Sequence, residues 1–197
     1  LGINTEFWTP DLDEEIIKAS NYLFLEGYLV ASPKGMAVCK QAIEAAKESN
    51  TKVSISLSDP NIVNAFKNEI KTLLDMKCDL IFCNEDEALA YAETNDISRA
   101  FQVLKEVSPN FLITQGSSGC IGFDGKKDID IPGHQVEAID SNGAGDMFAG
   151  AVLYSLSQGQ ELGEGAKFGC YAASKVVSHV GPRLLKDGYR EIKKNFS

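Results

Sequence analysis

Basic residues are in short supply. The chain has 19 Lys and Arg against 28 Asp and Glu, a formal net charge of −9. Nucleic acids and acidic membranes are held through basic patches that displace counterions, so neither is an expected partner. Histidine occurs only as His134 and His179, and the five cysteines (Cys39, Cys78, Cys83, Cys120 and Cys170) include no C-x-x-C pair. No zinc-type ligand set can be assembled from neighbouring positions, and buried, reduced thiols in a cytoplasmic protein are the expectation. Long apolar runs are missing too, since Tyr22-Leu23-Phe24-Leu25 meets Glu26 at once, and no secretory leader is visible. The chain opens on Leu1 rather than Met, which is compatible with a processed product or a piece of something longer. Two phosphate-binding fingerprints are also absent. No G-x-G-x-x-G follows the first strand signal and no G-x-x-x-x-G-K-S/T occurs, which argues against a dinucleotide-dependent oxidoreductase.

What is present is ordinary globular material: 197 residues, 44% hydrophobic and 24% charged, enough for a single α/β domain over 1–197 with a real core. Strand and helix signals alternate along it. Thr9-Pro10-Asp11 sets a hydroxyl, a proline and an acid at a helix start and predicts a helix to about Ala19. Tyr22 to Leu25 reads as a strand ending at Glu26-Gly27. Ser32-Pro33 opens a helix whose Cys39, Ala42, Ile43 and Ala46 share one face. Lys52 to Leu57 is a strand, and Asp59-Pro60 opens a helix striped by Val63, Phe66, Ile70, Leu73 and Leu74. Asp79 to Cys83 is the next strand, followed by helices through Ala88, Leu89 and Tyr91 and from about Ile97 to Val107, then the strand Phe111 to Thr114. This rhythm, with near-continuous apolar strands, predicts a parallel sheet covered on both faces. Cys120 to Phe123 and Asp128 to Ile131 read as an antiparallel pair around Asp124-Gly125. Val136 to Ile139 is expected to return to the core. Two long helices follow, the second with Gly169, Ala173, Val176, Val177 and Val180 on one side.

Ligands of open parallel sheets bind beyond the carboxyl ends of the strands. Three polar or glycine-rich segments fall there: Asn84 to Glu87, Thr114 to Gly119, and Asp140 to Asp146. The last reads as a tight loop feeding a buried helix. Its small residues let backbone approach a ligand closely, and the free amides at a helix start favour an anion. Asp146 then places a carboxylate in the helix's first turn, where it would repel a phosphate, so its expected task is handling a proton.

Gly143-Ala144-Gly145-Asp146 after Asp140-Ser141-Asn142 resembles the second signature, D-T-x-G-A-G-D, of the ribokinase-like (PfkB) carbohydrate and nucleoside kinases. Asn84-Glu85-Asp86-Glu87 resembles that family's Asn-x-x-Glu motif, and Thr114-Gln115-Gly116-Ser117-Ser118-Gly119 its Thr-x-Gly-x-x-Gly nucleotide loop. Ser141 stands where threonine is usual and keeps the hydroxyl. The resemblance implies a three-layer αβα sandwich with a mainly parallel central sheet. It also implies transfer of the γ-phosphate of ATP to a hydroxymethyl group of a sugar or nucleoside. Asp146 would be the catalytic base, and Gly143, Ala144 and Gly145 the anion hole. Asn84 would lie near the phosphates, Glu87 would help hold Mg2+ through ordered water, and Thr114, Gly116 and Gly119 would line the nucleotide groove. Asp140 would support a monovalent-cation loop. Leu57-Ser58-Asp59-Pro60 and the segment from Val176 to Pro182 lean toward the bacterial adenosine-kinase-like branch. The resemblance covers nearly all 197 residues, but only as the C-terminal part of such a kinase, with Leu1-Gly2 resembling the tail of a segment returning from the lid. The N-terminal part and the lid are therefore expected to be missing, with the acceptor site incomplete and a sheet edge unpaired. A non-catalytic nucleotide-binding module, or an inactive truncated fragment, is the alternative expectation.

Overall fold

Short polar residues followed by proline open two of the helices of the first half. The computed structural model describes residues 12–195 and divides after Ile113 into two units. The Thr9-Pro10 signal lies outside the described residues; among those described, α1 (Glu14–Lys18) is capped by Asp13, which accepts from the Glu15 and Ile16 amides. β1 (Tyr22–Glu26) follows, then α2 (Pro33–Lys47), where Ser32 accepts from the Gly35 amide at 3.0 Å. β2 (Lys52–Ser56) leads to α3 (Pro60–Ala65), capped by Asp59 through the Asn61 and Ile62 amides. In α2 and α3 the proline sits where a helix has no use for its missing N–H.

The helix expected to run on from Asp59-Pro60 is broken. Phe66 leaves the helical region at φ −130° and ψ 32°, and α4 (Lys67–Met76) starts afresh. The stripe survives the break, with Val63, Ile70, Leu73 and Leu74 buried. β3 (Leu80–Asn84), α5 (Glu85–Ala92), α6 (Ile97–Val107) and β4 (Phe111–Thr114) complete the alternation. β1 to β4 are neighbours in sequence order. β1 runs parallel to β2, pairing Tyr22 with Lys52 through Glu26 with Ser56, and β2 runs parallel to β3, pairing Ser54 with Leu80. The core is built from Val53, Ile55, Ile81, Leu112 and Ile113 on strands and Ile43, Ile70 and Leu104 on helices, all essentially inaccessible. Each such side chain contributes about 1.5–3 kcal/mol by leaving water. Ser54, buried in β2, is satisfied by donating to the Leu23 carbonyl at 3.0 Å.

In the second unit β5 (Gly119–Phe123) and β6 (Asp128–Pro132) form the antiparallel pair read from the sequence. Asp124 ties the turn by accepting from the Lys126 and Lys127 amides. α7 (Ala144–Ser157) and α8 (Leu162–Val177) are the two long helices. Two expectations fail here. Val136 and Ile139 do not return to the core: they are 42% and 57% exposed in a segment without regular structure. The Ile139 amide instead donates to the Val177 carbonyl at the end of α8, at 2.7 Å. Val180 lies beyond the end of α8 and is 80% exposed, so the buried face of that helix stops at Val176. A third helix, α9 (Lys186–Asn195), goes unread because its sequence is almost wholly polar. Ile192 anchors it against Ala151, Phe168 and Ala172.

Candidate active site

The helix start at Gly143 is shaped by backbone crowding. Gly143 is the N-cap of α7 at φ 76°, and a Cβ there would stand 2.2 Å from the Pro182 carbonyl oxygen. Only glycine fits that close approach in the left-handed region. No side chain caps the start; the Ala144 amide donates to the Ser141 carbonyl at 3.2 Å, and the remaining first-turn amides and the positive end of the helix dipole are presented to a ligand. Asp140 braces the loop from the other side. Its carboxylate accepts from the Asn142 amide at 3.0 Å and the Gly181 amide at 2.9 Å. Those two backbone bonds hold its carboxyl below the usual carboxylate range.

A cavity of about 280 Å³ opens on one side of this start. Thr114, Gly116 and Gly119 line it together with Ser141, Ala144 and Gly145, so two of the three segments singled out in the sequence meet on one wall. Gly119, at φ 102°, lies so close to β6 that a Cβ would stand 2.0 Å from the Ile131 carbonyl oxygen, which fixes the loop's return. At Gly145, by contrast, an added Cβ meets nothing within 4 Å. The cavity's remaining walls are largely apolar, from Val136, Ala138, Phe148, Ala173 and Val177. The exposed Val136 thus has a place in the site, although its expected place was the core.

Asp146 and Gly143 face a second cavity, of about 550 Å³, with Met147, Gly150, Pro182 and Arg183 among its walls. The carboxylate of Asp146 is exposed there. One helix start therefore serves two cavities, Ala144 and Gly145 lining the first and Asp146 the second. Arg183 went unremarked in the sequence, since nothing local marks a lone arginine in a polar tail.

Asn84 and Glu87 sit in the first unit as a capping box at the start of α5. The Asn84 side chain accepts from the Glu87 amide at 2.8 Å, while Glu87 accepts from the Asn84 amide at 3.1 Å and from its side-chain nitrogen at 2.7 Å. Glu87 is only 6% exposed. Burial pushes its carboxyl up to about 7, the Asn84 bond opposes that, and Asp59, Asp86 and Glu26 add to the rise. Among the described residues no three His, Cys, Asp or Glu side chains are gathered closely enough to form a metal-ion cage. A partly neutralised carboxylate among acids is nevertheless a site whose charge a cation would relieve.

The raised Glu87 value makes a pH prediction. The folded chain holds this proton more tightly than the unfolded chain, so stability is intact below about 4.5, falls as pH rises, and has lost the full contribution above about 7. The loss is of order 3 kcal/mol. Glu87→Gln keeps the capping geometry and removes the titration. Thermal unfolding from pH 5 to 8 should show the parent losing stability relative to the variant; parallel profiles would count against the buried carboxylate.

Comparison with known proteins identifies the family. The chain is 28% identical over 206 residues to the adenosine kinase of Schizosaccharomyces pombe, matching 93% of this chain and 59% of the relative. The crystal structure of adenosine kinase from Sinorhizobium meliloti superposes with a TM-score of 0.92 at 27% identity, over 97% of this chain and 59% of that one. The provisionally assigned ribokinase II of E. coli, solved with ATP and Mg2+, is alike in fold at 19% identity and a TM-score of 0.83, over 96% of this chain and 62% of that one. The chain thus spans about three fifths of the length of these relatives. No helix among the described residues is long and apolar enough to cross a membrane. The model of the pfkB family carbohydrate kinases matches residues 2–187, and the motifs that carry the site lie within that span, so the chain belongs to this family of α/β, ribokinase-like kinases.

Proposed function

We propose that the chain is the nucleotide-binding and catalytic portion of an ATP-dependent phosphotransferase acting on a hydroxymethyl group of a sugar or nucleoside. The observation that carries this reading is the uncapped start of α7 between two cavities, with Asp146 facing the second. ATP fits the first. Its apolar walls suit a base, and at Gly145 the backbone leaves the space that a Cβ would fill. Thr114, Gly116 and Gly119 would line the nucleotide groove. The acceptor hydroxyl would lie on the Asp146 side. Its proton passes to the Asp146 carboxylate as its oxygen bonds to the γ-phosphorus, and ADP leaves with the bridging oxygen. The amides of Gly143 and Gly145 would meet the charge on the transferring group without reorganising, whereas that of Ala144 would first have to leave the Ser141 carbonyl.

Mg2+ would supply charge neutralisation for the phosphates, and Glu87 would help hold it through water, with Asn84 beside it near the phosphates. Oxygen ligands and retained waters are what Mg2+ prefers. Millimolar Mg2+ should then restore part of the parent's stability at pH 8 and leave Glu87→Gln unchanged. Asp140 would support a monovalent-cation loop. Cytoplasmic location, a single domain over 1–197 and the absence of nucleic-acid or membrane partners belong to the same reading.

The deciding experiment measures phosphate transfer from ATP and Mg2+ to adenosine, ribose and fructose. It uses both this chain and the longest natural protein that contains it. Adenosine comes first, because adenosine kinases recur among the relatives. Nucleotide binding without transfer to any acceptor by either protein would leave a binding module and sink the transferase.

A further inference from the structure

The second cavity carries a cation that the transfer described above does not use. Arg183 lines it together with Gly143 and Asp146, and Lys193 lines it as well. The two cations stand at different levels. Asp146, Gly150 and Tyr154 all border the cavity and follow one another along α7 at about one helical turn each. The Lys193 ammonium lies over the Tyr154 ring, 4.3 Å from its centre, and so belongs to the far end of the cavity from the helix start.

Arg183 belongs to a segment fastened to that start. The Gly181 amide donates to the Asp140 carboxylate at 2.9 Å, the Pro182 carbonyl crowds Gly143, and the Arg183 carbonyl lies 3.4 Å from His179 Nε2. On the other side Leu184 packs against the cluster of Ala151, Phe168, Ala172 and Ile192. The backbone is thus held on both sides of Arg183. Its side chain is exposed to the cavity, and among the described residues no carboxylate is paired with its guanidinium.

Charge makes this placement consequential. As the acceptor oxygen bonds to the γ-phosphorus and the bond to the bridging oxygen breaks, the phosphoryl group crosses to the Asp146 side. The acceptor becomes a phosphate monoester with about −1.5 to −2 charges at pH 7. Asp146, once it has passed its proton to water, is an anion beside that ester and repels it. A planar guanidinium offers the opposite charge and two parallel N–H bonds to phosphate oxygens.

We propose that Arg183 is an acceptor-side phosphate-binding residue: its guanidinium donates to the oxygens of the phosphoryl group as that group arrives beside Asp146, and holds the phosphorylated product until release. The proposal deepens the phosphotransferase reading and rests on it.

Two measurements test it. The first is calorimetric titration of the 197-residue chain with inorganic phosphate in saturating ADP, the nucleotide assigned to the first cavity. Arg183→Met should weaken phosphate binding by about tenfold, Arg183→Lys should recover part of the loss, and Lys193→Met should leave binding unchanged. The second is steady-state kinetics of the longest natural protein that contains this chain. There Arg183→Met should lower kcat by about 10²-fold with the KM for ATP little changed, and the phosphorylated acceptor should inhibit more weakly. Variants are first compared with the parent by circular dichroism; if Arg183→Met fails to fold, Arg183→Lys carries the test through phosphate affinity and kcat lower than the parent's. Four results would overturn the assignment and leave the transferase standing: no phosphate binding by the parent, unchanged phosphate affinity in Arg183→Met, near-normal kcat in that variant, or phosphate binding lost with Lys193→Met instead. Transfer to no acceptor, with phosphate binding still dependent on Arg183, would sink the transferase and keep the phosphate site.

Discussion

Asp146→Asn should lower turnover by about 10²–10⁴-fold, the usual share of a positioned general base, while leaving ATP binding intact. The substitution keeps the size and hydrogen-bonding reach of the side chain but removes its ability to take a proton. Asp146 lines the cavity opposite the one walled by Thr114, Gly116 and Gly119, so losing its charge does not touch the walls expected to hold the nucleotide. The measurement pairs steady-state kinetics with ATP titration, in the longest natural protein containing this chain. A fall in kcat with little change in ATP affinity is the signature of an interaction made in the transition state. Near-normal turnover would remove Asp146 as the base.

The second large effect separates two glycines of the same motif. Gly143→Ala forces a Cβ into a left-handed residue and against the Pro182 carbonyl. The conformational part alone costs about 1–3 kcal/mol, and each kcal/mol lowers the melting temperature of a chain this size by roughly 2–4 °C. The clash adds to that, because the obstructing atom is backbone and cannot turn aside. Gly145→Ala meets no neighbour, and alanine is a better helix former than glycine, so folding should be unaffected or slightly improved. Its methyl group would instead stand at the wall of the first cavity and weaken ATP binding by about tenfold, or 1.4 kcal/mol. Melting curves and ATP titrations of both variants make the comparison. Equal loss of stability in both, or unchanged ATP affinity in Gly145→Ala, would show that Gly145 does not form the cradle.

Where the sequence was legible, the interactions were local. Ser32-Pro33 and Asp59-Pro60 fix helix starts through bonds to amides two or three residues on, and Ile97 to Val107 carries its stripe within itself. Asn84 to Glu87 is equally local, since both members of the capping box lie in one turn. The segment Val136 to Ile139 misled because apolar residues at strand-like spacing normally seek a core. Here Ile139 pairs its amide with the end of α8, and Val136 borders a cavity. α9 was invisible because a single buried isoleucine anchors it.

From the sequence alone came the α/β alternation, the caps and the three strand-end motifs, all of which depend on neighbours a few residues apart. Tertiary structure decided which motifs share a wall. It set Thr114, Gly116 and Gly119 beside Ala144 and Gly145, turned Asp146 toward a different cavity, and brought the Pro182 carbonyl against Gly143. Such meetings depend on how β5, α7 and α8 pack. Packing follows from the summed shape of many side chains, which no short stretch of sequence carries.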